Sequence, residues 1–225
     1  MKTLMLVMTA LLLAVGCIDT SNFPPITAKM SRETESSLEG IPKLPDKVAI
    51  FIDKETREKV MIQAPDGTIG RTQFDSNGEF IRSKYQIKFG ESFTNTLVEV
   101  CQATFFHVRL LDGPFLPTGY SLIILRAENV DVGFEFAASQ PRRPVLDQAR
   151  ISLLLRTTII GKDGKEIANY KETFNEDQRE KFGSTNQMAA YENCLNKVVV
   201  KYVERLSKIL ARRVAQTSLL EQPSK

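Results

Sequence analysis

The segment that constrains the fold most lies near the C-terminus. Met188, Tyr191, Leu195, Val198, Tyr202, Leu206, Ile209 and Leu210 recur at spacings of three and four, the period of one face of an α-helix. Ser184-Thr-Asn-Gln187 ahead of them has the pattern of a capping box, so a helix is expected from there to about Val214. A helix of about 30 residues that carries such an apolar stripe must lie on an apolar surface. Phe93, Leu97, Val100, Cys101, Thr104 and Phe105 mark a second, shorter amphipathic helix over about Glu91–Phe106.

Strands supply the surface for both. Lys47-Val-Ala-Ile-Phe-Ile52 is a β-branched and aromatic run bounded by Pro45 and the charged segment Asp53–Lys59. Val60-Met-Ile62 and Tyr85–Phe89 are shorter strand patterns. Tyr120–Phe136 is too long for one plain strand, because Ile123, Leu125 and Ala127 share one parity while Val130, Val132, Phe134 and Phe136 share the other. A period of two changes parity only through an extra residue, so a bulge is expected near Glu128-Asn129. Ala149, Ile151, Leu153, Leu155 and Ile159 define a further long strand, which Gly161-Lys-Asp-Gly164 turns back into Lys165–Phe174. The expected fold is α+β: a two-layer sandwich in which a mainly antiparallel sheet is covered on one face by two helices, the C-terminal one long.

The opposite end of the chain bears on location. After Lys2, an apolar run from Leu4 to Val15 is too short for a permanent bilayer span and reads as a cleavable signal, residues 1–16. Its ending, Leu13-Ala-Val-Gly-Cys17, resembles the lipobox of bacterial lipoproteins. That resemblance implies cleavage before Cys17 and attachment of acyl chains of the palmitate type to it. Two or more chains suffice for stable anchoring. Ile18 follows the cysteine where enteric lipoproteins retained in the inner membrane carry aspartate, so the resemblance implies an outer-membrane anchor facing the periplasm. Residues 17–46 are polar and proline-punctuated, with Pro24, Pro25, Pro42 and Pro45, and are expected to form a tether with a reach of about 30 Å. One globular domain is expected over 47–214, and a frayed tail over 215–225.

Composition removes whole classes of function. A formal net charge of +3 is too small for a nucleic-acid footprint. His107 is the sole histidine, which excludes a histidine metal cluster, and no sequence pattern calls for a metal or a cofactor. There is no nucleophile elbow, HExxH or paired CxxC, and Gly161-Lys162 and Gly164-Lys165 lack the spacer and hydroxyl of a phosphate loop. The reading is therefore non-enzymatic.

The remaining residues of chemical interest have alternative readings. Cys101 and Cys194 are either a disulfide formed in an oxidising compartment or two separate buried thiols. Lys197, Lys201, Arg205, Lys208 and Arg212 form a basic row opposite the apolar stripe, either a face for an anionic partner or a solvated surface. Arg126, Glu128, Asp131 and Glu135 fall on the less apolar positions of a strand, where solvent exposure is the default and a carboxylate pair the exception. His107 is expected to end the shorter helix, its imidazolium favoured by the helix dipole.

From the lipobox through tether, strand, helix, long strands with a hairpin and a long terminal helix, the order of elements over Lys47–Val214 resembles two lipoprotein groups of Gram-negative envelopes. These are the lipopolysaccharide-assembly lipoproteins that plug an outer-membrane barrel and the auxiliary lipoproteins of ABC-type transport systems. The resemblance implies a non-enzymatic accessory or assembly subunit with a protein partner in an envelope complex. The alternative is a carrier that holds lipid or glycolipid between sheet and helices.

Overall fold

The computed structural model describes residues 25–63, 73–74, 80–81, 85–136, 146–181 and 187–220. Its centre is a five-stranded mixed sheet of β1 (Leu44–Ile52), β6 (Phe105–Leu111), β7 (Ser121–Phe136), β8 (Leu146–Ile160) and β9 (Glu166–Lys181), in the order β6-β1-β7-β8-β9. β7, β8 and β9 form long antiparallel pairings, as expected. β1, by contrast, runs parallel to both its neighbours, with Val48 beside Val108 on one side and Ser121 on the other. Hydrophobic alternation sets which side chains face the core and leaves strand direction open, so the parallel pairs could not be read from it. Short strands β2 (Met61–Gln63) and β5 (Tyr85–Ile87) pair apart from the main sheet, as do β3 (Gln73–Phe74) and β4 (Phe80–Ile81).

The bulge falls at the expected place. Ala127 pairs with Leu155 and Asn129 with Leu154, leaving Glu128 as the extra residue. Parity is thereby restored to the core, and Ile123, Leu125, Val130 and Val132 are all buried in one cluster. The β8–β9 turn is closed by the Gly164 amide donating to the Gly161 carbonyl at 2.9 Å, with Gly164 at φ +77° in the left-handed region that glycine adopts without strain. β9 runs on through Asn175–Lys181, which the sequence marks only as a charged segment.

Helices α3 (Phe89–Thr104) and α4 (Gln187–Leu220) form the second layer, on the sheet face that carries Val48, Ile50, Ile151 and Leu153. The space between the layers is filled by large side chains, with Phe89, Phe93, Tyr191 and Tyr202 all fully buried. Phe174 on β9 meets the Tyr202 ring edge-on at 6.0 Å between centroids. Burial of this kind, at roughly 25 cal/mol per Å² of apolar surface, is what holds the two layers together. The capping residues proposed for α4, Ser184 to Asn186, lie outside the described residues.

The expected tether is largely part of the body. Ile26 pairs with Ile87, Ala28 is buried, and α1 (Arg32–Leu38) follows, its first turn capped by the Ser31 hydroxyl accepting from the Thr34 amide at 3.2 Å. Ile26 and Ala28 join the main core cluster, which composition averaged over 17–46 conceals. After β1, Asp53 caps the single turn α2 (Lys54–Arg57). The Thr56 hydroxyl accepts the Ala127 amide at 2.8 Å just before the bulge.

Candidate interaction surface

The two edges of the sheet are chemically unlike. β9 carries Glu166, Lys171, Glu172, Glu176, Asp177 and Lys181, the charged dressing that discourages further strand addition. β6, Phe-Phe-His-Val-Arg-Leu-Leu, carries one permanent charge, Arg109. Among the described residues β6 pairs only with β1.

The shape of β6 follows from how α3 ends. The Thr104 hydroxyl donates to the Val100 carbonyl at 2.8 Å and the Phe105 amide bonds the Cys101 carbonyl, after which the backbone becomes extended. Val108 and Leu110 lie beside Val48 and Ile50. α3 covers Val108 only partly, and Phe106 and Leu110 remain 63% and 41% exposed. On the other side of the sheet, His107 lies beside Lys47 and Arg109 beside Ala49, while Leu111 is buried with Ala49 and Leu122. The connection from Asp112 to Tyr120 packs Leu116 and Tyr120 on this second cluster and leaves Phe115 exposed. His107 therefore sits within a strand, and the helix-dipole role expected for it falls away. The apolar and aromatic content of 105–111 signals the strand, but Phe105 also completes the helical stripe and pulls the boundary two residues too far.

The basic row of α4 lies over β9. Lys197 donates to the Gln178 side chain, Lys201 pairs with Glu176, and Arg205 stands 3.8 Å from Glu172. These three cations have partners within the chain, and all five residues of the row, Lys208 and Arg212 included, are exposed. Lys201 and Arg205 nevertheless keep more than half of their side-chain surface in solvent, 59% and 53%.

Cys101 and Cys194 are buried thiols that are not bonded to each other. The Cys194 sulfur donates to the Ala149 carbonyl at 3.1 Å. Burial pushes the Cys101 thiol far above its ordinary range. Cys17 and the side chain of Glu135 lie outside the described residues.

Glu128, set by the bulge on the helix-free side, accepts from Lys171 at 2.7 Å and Arg156 at 2.6 Å. These hydrogen bonds, Lys171 first, hold its carboxyl below the usual range. A carboxylate so held is a structural anion and a poor proton donor. Among the described residues no cluster of three or more potential ligands could hold a metal, and no helix is long and apolar enough to cross a membrane.

No family model and no curated protein matches this sequence. Among solved structures, the chain is similar to a DUF330-family protein from Xanthomonas campestris, with 11% identity and a TM-score of 0.43 over 86% of this chain and 97% of that one. It is also similar to a neuraminyllactose-binding hemagglutinin homologue from Helicobacter pylori, with 13% identity and a TM-score of 0.38 over 87% and 93% of the two chains. A minor lipoprotein from Acinetobacter baumannii gives 12% identity and a TM-score of 0.34 over 76% and 96%. With each of these TM-scores below 0.5, none of the likenesses assigns a role to this chain.

Proposed function

We propose that this is a lipid-anchored protein of the outer membrane, facing the periplasm, that serves as a non-enzymatic accessory or assembly subunit of an envelope complex and docks its protein partner along β6. The observation that carries the docking site is an apolar edge strand with Phe106 and Leu110 exposed, opposite an edge dressed in charge. Backbone amides and carbonyls at a strand edge are best satisfied by another strand, and hydrocarbon cannot satisfy them, so a protein strand suits β6 better than lipid does. The filled space between sheet and helices weighs against a lipid carrier.

The test is copurification from mild detergent, comparing the parent with a Phe106→Lys/Leu110→Lys double variant. A stoichiometric protein partner that the parent retains and the folded variant loses supports the reading. An equally retained partner rules out β6 as the site, and a lone monomer carrying extractable lipid favours the carrier. Cys17→Ser is expected to release the protein from membranes, and continued membrane attachment would overturn the anchor.

A further inference from the structure

Between Ala28 and Ser31 three backbone amides are held by side chains of α3 or α4. The Ala28 amide donates to the Ser92 hydroxyl at 2.9 Å and the Met30 amide to the Glu99 carboxylate at 2.7 Å. Asn196, only 1% exposed, accepts from the Ser31 amide at 3.0 Å and donates to the Lys29 carbonyl at 2.9 Å. Two residues upstream of this run, the Ile26 amide and carbonyl bond Gln86 and Lys88 beside the start of α3. A buried asparagine on an otherwise apolar helix stripe is costly unless fully satisfied, and its partners here are one stretch of backbone and the Glu192 carbonyl of its own helix.

We propose that α3 and α4 form a clasp that reads the backbone of residues 28–31 and so fixes which end of the body faces the membrane. This inference rests on the lipid anchor at Cys17. With the clasp closed, the chain from Cys17 to Pro25 spans at most about 29 Å even fully extended. It enters the body beside Lys88, at the end where β1 finishes. The β8–β9 turn lies at the opposite end, where Lys162 pairs with Asp46 at 3.5 Å near the start of β1. If the clasp opened and the strap peeled back to Leu44, the permitted span would grow to about 97 Å and either end could face the bilayer.

The experiment uses the full-length lipidated protein in phosphatidylethanolamine/phosphatidylglycerol vesicles that contain a lipid-borne quencher, with a fluorophore on Lys88→Cys or on Lys162→Cys. The buried native thiols leave these as the reactive sites. Stronger quenching at position 88 than at 162 is expected, and the difference should collapse in Asn196→Ala. Equal quenching at both sites of an anchored parent overturns the inference and leaves the anchor standing. Detachment of Cys17→Ser is the separate test of the anchor.

Hydrogen exchange of the amides of Ala28, Met30 and Ser31 tests the clasp without any membrane. Their exchange should be slow in the parent and faster by about tenfold or more in Asn196→Ala or Ser92→Ala. The α3 and α4 amides serve as the internal control for folding. Rapid exchange in the parent overturns the clasp.

Discussion

At the scale of single residues, Glu128 gives a signed pH dependence. Its carboxyl is held below the ordinary value of 4.5 by Lys171 and Arg156. A group depressed in the folded state contributes stability above its unfolded pKa and loses that contribution as pH falls through the folded pKa. Glu128→Gln is therefore expected to flatten the acid limb of a denaturant-midpoint profile below about pH 4.5, while the parent falls more steeply. Identical acid limbs would show that the two cations do not hold the charge. The bulge that places Glu128 was legible, because a parity change in an alternating strand has one cheap resolution. Its ion pairs were not, because the partners come from β8 and β9 at positions that only register defines. The two thiols lead to a second expectation. With Cys101 and Cys194 both buried, native Cys17→Ser protein should resist an aromatic disulfide reagent and react at both sites once denatured. Unchanged gel mobility with and without reductant should accompany this.

At the scale of elements, the start of α3 shows how closely two backbones meet. A Cβ on Gly90 would stand 2.2 Å from the Arg57 carbonyl oxygen and 2.3 Å from that of Thr56. Neither oxygen belongs to a flexible side chain, so Gly90→Ala is expected to cost about 3 kcal/mol or more in chemical denaturation. Gly133→Ala meets the movable Arg150 side chain instead and should cost clearly less. Equal losses would remove the distinction. The α4–β9 contact lies at the weak end of the range: Lys201→Gln is expected to change stability by less than about 1 kcal/mol, because the ammonium is largely solvated. That contact also explains why the second half of β9 was hard to read. Its core-side positions include Glu172, Glu176 and Gln178, which look like solvent-facing residues until the lysines and arginine of a helix far along the chain are placed over them. The helices α3 and α4 were legible because each carries its own apolar stripe. β6 and the docked segment from Ile26 were not, since one is masked by an adjoining helical period and the other is held through backbone bonds that leave little trace in composition.

At the scale of the whole molecule, the sheet ends, among the described residues, in one edge dressed in charge and one apolar edge that pairs only with β1. A native protein can carry an undressed edge if a partner normally covers it. Freed from the membrane by Cys17→Ser and separated from any partner, the body should then self-associate through β6 as its concentration rises. Sedimentation velocity over a concentration series measures this directly. Phe106→Lys with Leu110→Lys should move the onset to higher concentration while leaving the denaturation midpoint within about 0.5 kcal/mol of the parent, since both side chains are already substantially exposed. Asn169→Lys adds charge to the edge that is already charged and should leave the onset where it was. If it shifts the onset as far as the β6 changes do, net charge rather than the apolar edge governs association, and β6 loses its claim as the docking strand.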